Sequence, residues 1–187
     1  MTQGSAYEEI SRQILAENAR VLERVDAVAV DELLQRVWAA PRVFLLGEGR
    51  SGLVGRMIAM RLMHLGRTVY VVGDATTPAI APGDLLLALS ASGETAVTCL
   101  LAEKGIAAGA ELVAITANTE SRLARAAALA VVLQTPAKGL RDRSSIQFGG
   151  SLFEQSALLL GDALVVLAMH TAGERAAEMA ARHTNLE

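Results

Sequence analysis

The run Leu85-Leu-Leu-Ala-Leu-Ser90-Ala91-Ser92-Gly93-Glu94-Thr95 decides how this chain is read. Its first five residues are short and uniformly apolar, the pattern of a central parallel strand covered on both faces. The run then breaks into small hydroxyl residues and starts a helix. Ser92 and Thr95 fall at that helix's N-terminal turn, where unpaired backbone N–H groups and the positive end of the helix dipole favour an anion. Gly93 allows the backbone to approach closely. Open α/β sheets hold ligands beyond the carboxyl ends of their strands, which makes the stretch a phosphate cradle. Capping by Ser92, with Thr95 in the first turn, explains the same residues without a ligand.

Working outward, Val43-Phe-Leu-Leu46, Thr68-Val-Tyr-Val-Val72, Leu112-Val-Ala-Ile-Thr116 and Ala130-Val-Val-Leu133 read as four further strands. Helical patterns lie between most of them. One runs from the first glycine loop through Leu65, ended by Gly66, and another ends around Gly109. Alternation at this spacing argues for right-handed βαβ crossovers. The fold class is therefore α/β: a three-layer α-β-α sandwich on a five-stranded parallel sheet of flavodoxin-like order 2-1-3-4-5. In that order the first and third strands are neighbours, so the loops that follow them converge at the topological switch point.

Two helices precede the sheet, together spanning about residues 5–40. From Tyr7 to Val25 the residues Ile10, Ile14, Val21 and Val25 form an apolar stripe widened by Leu15 and Leu22, with Glu8, Arg12, Glu17 and Arg20 on the other side. The second starts near Asp26 or Asp31, carries Leu33, Leu34, Val37 and Trp38 inward, and stops before Pro41. After the last strand, 136–150 is a polar loop containing Lys138, Arg141, Asp142, Arg143, Ser144 and Ser145, long enough to suggest function. It feeds a helix from about Ser151 to Thr171, apolar nearly all round its middle and suited to burial or a subunit interface. A helical tail closes the chain over about 173–187. The whole of 1–187 reads as one domain.

Composition narrows the function. Hydrophobic residues make up 52% and aromatics 3%, so the core is built of Ala, Val, Leu and Ile. A net charge of −3 without a basic block argues against a nucleic-acid partner, and no basic helix addresses a membrane surface. The N-terminus has no apolar signal region, so a cytoplasmic location is expected. The single Cys99 lies in an apolar helical stretch and reads as a buried structural thiol. No His, Cys and carboxylate set has metal-ligand spacing, so neither metal nor cofactor is expected.

Candidate site residues follow from these loops. Gly47-Glu-Gly49-Arg50-Ser51-Gly52 follows the first strand with G-x-G-x-x-G spacing, a weak match that equally describes a tight turn with a serine cap. Arg50 can meet a phosphate or substrate hydroxyls, or form a surface salt bridge. Thr76 and Thr77 are weaker candidates for sugar hydroxyls. Glu154, a carboxylate at a helix start near the polar loop, is placed to act as a base, although Ser151-Leu-Phe-Glu154 also fits a capping box. His183 in the polar tail can shuttle protons at neutral pH, or be an exposed tail residue. Its distance along the chain from the cradle suggests that it serves a neighbouring subunit. His64 and His170 read as structural.

Three motifs together carry a family resemblance: Gly49-Arg50-Ser51-Gly52, Ser90-Ala-Ser-Gly-Glu-Thr95 and Gly150-Ser-Leu-Phe-Glu-Gln155 resemble the sugar isomerase (SIS) domain proteins, above all the 6-phospho-3-hexuloisomerases. Ala59-Met-Arg-Leu-Met-His-Leu-Gly66, Thr76-Thr-Pro-Ala-Ile80 and Arg182-His183-Thr-Asn-Leu-Glu187 extend the resemblance over essentially the whole chain. It implies interconversion of D-arabino-3-hexulose 6-phosphate and fructose 6-phosphate through a cis-enediol, in the ribulose monophosphate route of formaldehyde assimilation. It also implies a metal-free homotetramer with active sites at subunit interfaces, coupled to a 3-hexulose-6-phosphate synthase. Glu154 is the base by this resemblance. The phosphate would sit on Ser51, Ser90, Ser92 and Thr95, with His183 handling protons. One departure is Ala91, where the family commonly has glycine and where a positive φ would be costly. The rival readings are another aldose–ketose phosphate isomerase and a non-catalytic phosphosugar-sensing module.

Overall fold

Each residue of the central apolar strand is buried, and alternate side chains feed two separate cores, as a strand covered on both faces requires. The computed structural model describes residues 3–136, 145–172 and 176–186. Five strands, β1 (Val43–Gly47), β2 (Val69–Val71), β3 (Leu85–Leu89), β4 (Glu111–Thr116) and β5 (Leu129–Val132), form one sheet of order β2-β1-β3-β4-β5. All four pairings are parallel. The order is the one expected from the spacing of strands and helices.

The helices are α1 (Gln3–Leu22), α2 (Ala27–Ala39), α3 (Gly49–His64), α4 (Ala96–Ala107), α5 (Arg122–Ala126), α6 (Ser151–Ala172) and α7 (Ala176–Ala181). Leu85, Leu87 and Leu89 pack with residues of α2, α3 and α6 on one side of the sheet, whereas Leu86 and Ala88 pack with α4 and α5 on the other. α2 starts at the first of its two candidate caps: the Asp26 carboxylate accepts from the Val28 N–H at 2.9 Å. At the edge of the sheet away from the β1 and β3 loops, buried Asp84 accepts from Arg42 Nε at 2.9 Å and from the Ala81 N–H at 2.7 Å.

Two helices differ from the sequence reading. In α1 the protected face is Ile14, Glu17, Asn18 and Val21, with Leu22 half-buried, while Ile10 and Leu15 are exposed and Glu17 is turned inward. The helical spacing is as expected, but two polar residues occupy the middle of the buried stripe. Among the described residues of the tail, helix is confined to α7, and 182–186 leaves it.

α6 is long and apolar enough to cross a membrane by length and composition, but 56% of that window is buried, the pattern of a core helix. Leu159 and Val166 stay exposed on its outer side. Lys138, Arg141, Asp142, Arg143 and Ser144 of the polar loop lie outside the described residues.

Candidate active site

The two ligand loops leave adjacent strands at the same level, because Gly47 at the end of β1 pairs with Leu89 at the end of β3. α3 starts hard against β1. A Cβ on Gly52 would lie 2.5 Å from the Gly47 carbonyl oxygen, so only glycine permits this approach. Ser51 is thereby buried in the first turn of α3, and Glu48 at the N-cap makes no side-chain capping bond. The glycine spacing thus brings a helix N-terminus to the sheet edge. Asp74 beyond β2 is engaged by Arg56 at 2.6 and 3.0 Å.

The second loop is braced from behind. The Ala91 carbonyl accepts from the Ala117 N–H at 3.0 Å and the Thr116 hydroxyl at 3.3 Å, and the Gly93 carbonyl accepts from the Leu123 N–H at 3.1 Å. Glu94 turns outward and accepts from the Arg122 N–H at 2.8 Å. Gly93 has φ +64°, and a Cβ there would lie 2.0 Å from Ser121 Oγ, so both conformation and space demand glycine. Ala91 is buried, and among the described residues no non-glycine has a positive φ. The departure at position 91 therefore leaves the loop unstrained.

Capping does not use up the hydroxyls of this loop. Thr95 is the N-cap residue of α4 but makes no side-chain capping bond; its Oγ1 meets Ser90 Oγ at 3.2 Å. Ser92 Oγ accepts from the Glu94 N–H at 3.2 Å, ahead of the helix. The first-turn N–H groups of α4 thus keep their anion-binding capacity. Ser90 is buried and also accepts from the Gly93 N–H at 3.2 Å, which makes it a brace within the cradle.

Glu154 is buried in the first turn of α6, and its carboxylate pairs with Arg50 Nε. The Arg50 side chain as a whole is 62% exposed. The capping box does not form: the Ser151 N–H donates to the Phe148 carbonyl at 3.2 Å, and the Glu154 carboxylate points to the glycine loop instead. Chain elements 104 residues apart therefore meet at the first glycine loop, which leaves the strand next to the one carrying the cradle.

His183 is elsewhere. Its ring stacks on buried His64, with centroids 5.1 Å apart and planes at 16°. His64 lies at the C-terminal end of α3, about 20 Å along the helix from Ser51 at the ordinary rise. Arg182 donates to the His64 carbonyl at 2.9 Å. Burial, then the His183 and Arg61 charges, lower the His64 pKa. The structure does not bring His183 to the cradle of its own chain.

Thr77 is committed to its turn, donating to the Val71 carbonyl at 2.5 Å, whereas Thr76 is exposed beyond β2. Cys99 is buried, as expected, and its thiol donates to the Gly93 carbonyl at 3.3 Å. Burial pushes that thiol's pKa up.

A further group escaped the sequence reading. Buried Glu17 accepts from Ser145 Oγ at 2.7 Å, the Ile146 N–H at 2.9 Å and Gln147 Nε2 at 3.0 Å. Burial raises its pKa, but these hydrogen bonds and the Arg20 charge outweigh burial and hold the carboxyl below its usual range. Next to it, Asn18 Nδ2 donates to Gln155 Oε1 at 2.8 Å, and Ser156 Oγ donates to Asn18 Oδ1 at 2.9 Å. The signal was present as a polar pair interrupting the apolar positions at 14 and 21.

A parallel sheet of this order with two helix N-termini at its switch point defines an open α/β protein of the kind that holds ligands beyond the carboxyl ends of its strands. The model of the SIS domain matches residues 37–159, and this chain belongs to that family. It is 44% identical over 174 residues to the 3-hexulose-6-phosphate isomerase of Mycobacterium gastri, covering 91% of this chain and 86% of that protein. The enzyme of the same name from Bacillus subtilis is 37% identical over 84% of this chain and 86% of its own length. Among solved structures, a Methanococcus jannaschii protein whose structure infers a 3-hexulose-6-phosphate isomerase function superposes with a TM-score of 0.81 and 30% identity, covering 98% of this chain and 99% of that one.

Proposed function

We infer that this protein is an isomerase that interconverts D-arabino-3-hexulose 6-phosphate and fructose 6-phosphate. Relatives of that activity at 44% and 37% identity support the reading. The observation that carries it is the buried Glu154 carboxylate, brought by Arg50 to the loop beside the phosphate cradle. A phosphosugar sensor needs the cradle but has no use for a buried base.

In the reaction, the phosphate sits on the N-termini of α3 and α4, with Ser51, Ser92 and Thr95 as hydroxyl donors, Gly49 at the loop and Ser90 bracing Thr95. Arg50 leaves Glu154 for the incoming anion or a substrate hydroxyl, and exposed Thr76 faces the sugar hydroxyls while Thr77 holds the turn behind it. Glu154 takes the proton from C2 of the 3-ketose. The C2–H electron pair forms the C2=C3 bond of the cis-enediol as the C3 oxygen gains a proton. The O2 proton then leaves, the C2 carbonyl forms, and Glu154 returns a proton to C3. His183 of a neighbouring subunit relays the protons on the oxygens.

We assign a homotetramer to the protein, with active sites at subunit interfaces. Support comes from Leu53, Met57, Met60 and Met63, which stay 61%, 46%, 45% and 39% exposed along α3, and from Leu159 and Val166 on α6. The distance of His183 from its own cradle supports the same assembly. The helices before residue 41 and the tail belong with the SIS region as one domain. In the cytoplasm the enzyme would follow a 3-hexulose-6-phosphate synthase in the ribulose monophosphate route. Fructose 6-phosphate formation from ribulose 5-phosphate and formaldehyde, with a synthase supplied, tests the assignment. No hexose phosphate there, but turnover of an aldose phosphate, would replace it with an aldose–ketose isomerase.

A further inference from the structure

α1 presents Glu17 and Asn18 in the middle of its buried face, where apolar side chains would hold a helix at lower desolvation cost. Both are buried to within 6% exposure, and both bind chain more than 120 residues away, Asn18 Nδ2 keeping one further bond to the Ile14 carbonyl of its own helix at 3.0 Å. Their partners flank Glu154 on both sides. Upstream, Glu17 binds Ser145, Ile146 and Gln147, and the Phe148 carbonyl that follows accepts the Ser151 N–H at the start of α6. Downstream, Asn18 binds Gln155 and Ser156, the two residues after Glu154, and the Ser156 side chain is completely buried. An apolar contact tolerates sliding of one helix on another, whereas a buried polar pair with directed partners fixes the register.

We propose that Glu17 and Asn18 are positioning residues: they lock the first turn of α6 and the segment leading into it, and so set where the Glu154 carboxylate stands relative to the cradle. The proposal rests on the reading of Glu154 as the base. Neither residue touches the substrate, and their effect falls on proton transfer and spares phosphate binding. α1 is on this view part of the catalytic apparatus, although it precedes the first strand and lies outside the stretch that matches the SIS domain.

Steady-state kinetics of Asn18→Leu and Glu17→Leu with fructose 6-phosphate test this, alongside Glu154→Gln and the thermal midpoint of each variant. A displacement of the base by an ångström is worth about 100-fold, so kcat should fall roughly 10- to 100-fold. KM should stay within about twofold, since the phosphate contacts survive. Glu17→Gln keeps an acceptor for the Ile146 N–H and turns its amide NH2 toward Ser145 Oγ, which can accept, so it should restore part of kcat. A purely structural role would lower the thermal midpoint and leave the kcat of the folded enzyme unchanged, and that result overturns the proposal. So does a rise in KM with kcat intact. Should either leucine variant fail to fold, Ser156→Ala removes one hydroxyl with an expected loss of about fivefold in kcat; full kcat there also overturns it. Full turnover by Glu154→Gln removes the base reading and the positioning role together. Loss in Glu154→Gln with intact kcat in the α1 variants removes the positioning role alone.

Discussion

The two halves of the site are held in different ways. The cradle half, Ser90 to Thr95, is built from one stretch of chain and braced by its immediate neighbours β4 and α5 through backbone carbonyls and Ser121. The Glu154 half is assembled from three distant pieces: Arg50 on the first loop, Glu17 and Asn18 on α1, and the first turn of α6. Local construction suits a group that must bind an anion whichever sugar carries it. Long-range construction lets the position of one carboxylate be tuned independently of the cradle.

If that division is right, damage to the two halves separates in the kinetics. The largest effect is expected for Glu154→Gln, with kcat down roughly 10²- to 10⁴-fold as for loss of a general base. Fructose 6-phosphate should still raise the thermal midpoint of that variant. Next comes Ser92→Ala combined with Thr95→Ala. Hydrogen bonds to a charged group are worth about 1.5–3 kcal/mol each, so KM should rise about tenfold or more while kcat changes little. A fall in kcat with KM unchanged in that double variant would erase the distinction.

Gly93→Ala probes the brace: a positive φ and a contact with Ser121 Oγ at 2.0 Å should together destabilise by roughly 1–3 kcal/mol, read from chemical denaturation. The smallest effects are on pH. The Glu17 carboxyl is lowered in the folded state, so its contribution to stability is complete above the ordinary glutamate value of about 4.3 and is lost as pH falls through the lowered native value. Acid titration of Glu17→Gln should lack that component of unfolding. His64 is also lowered, so folding is penalised as pH falls below about 6.5, the usual imidazole value. The stack with His183 should loosen there, and His64→Phe should remove the dependence, as followed by the histidine ring resonances.

The same contrast explains what was legible in the sequence. Uniform apolar runs, glycine punctuation and helix starts are local signals, and they indicated the strand order and placed both loops at the carboxyl end of the sheet. Ser51 and Thr95 stand at helix starts, as their spacing indicated, whereas Ser92 lies in the loop ahead of α4. That Thr95 makes no side-chain cap follows from its hydroxyl meeting Ser90 Oγ within the same stretch, a pairing the capping pattern does not show. Periodicity likewise assigned Glu17 to the wet side of α1, because charge was read as exposure. Its burial follows from donors at 145–147, which no window around residue 17 contains. That the Glu154 carboxylate pairs with Arg50 and leaves the capping box unformed was also not local, because Arg50 is remote in sequence.

Proton exchange from fructose 6-phosphate in deuterated water tests the central claim most directly. Isomerisation between C2 and C3 requires the enzyme to labilise the C3 hydrogen, so the C3–H resonance should disappear, with a 3-ketose formed alongside and neither change seen with Glu154→Gln. Exchange at C1 with C3 untouched would mark an aldose–ketose isomerase and contradict the assignment.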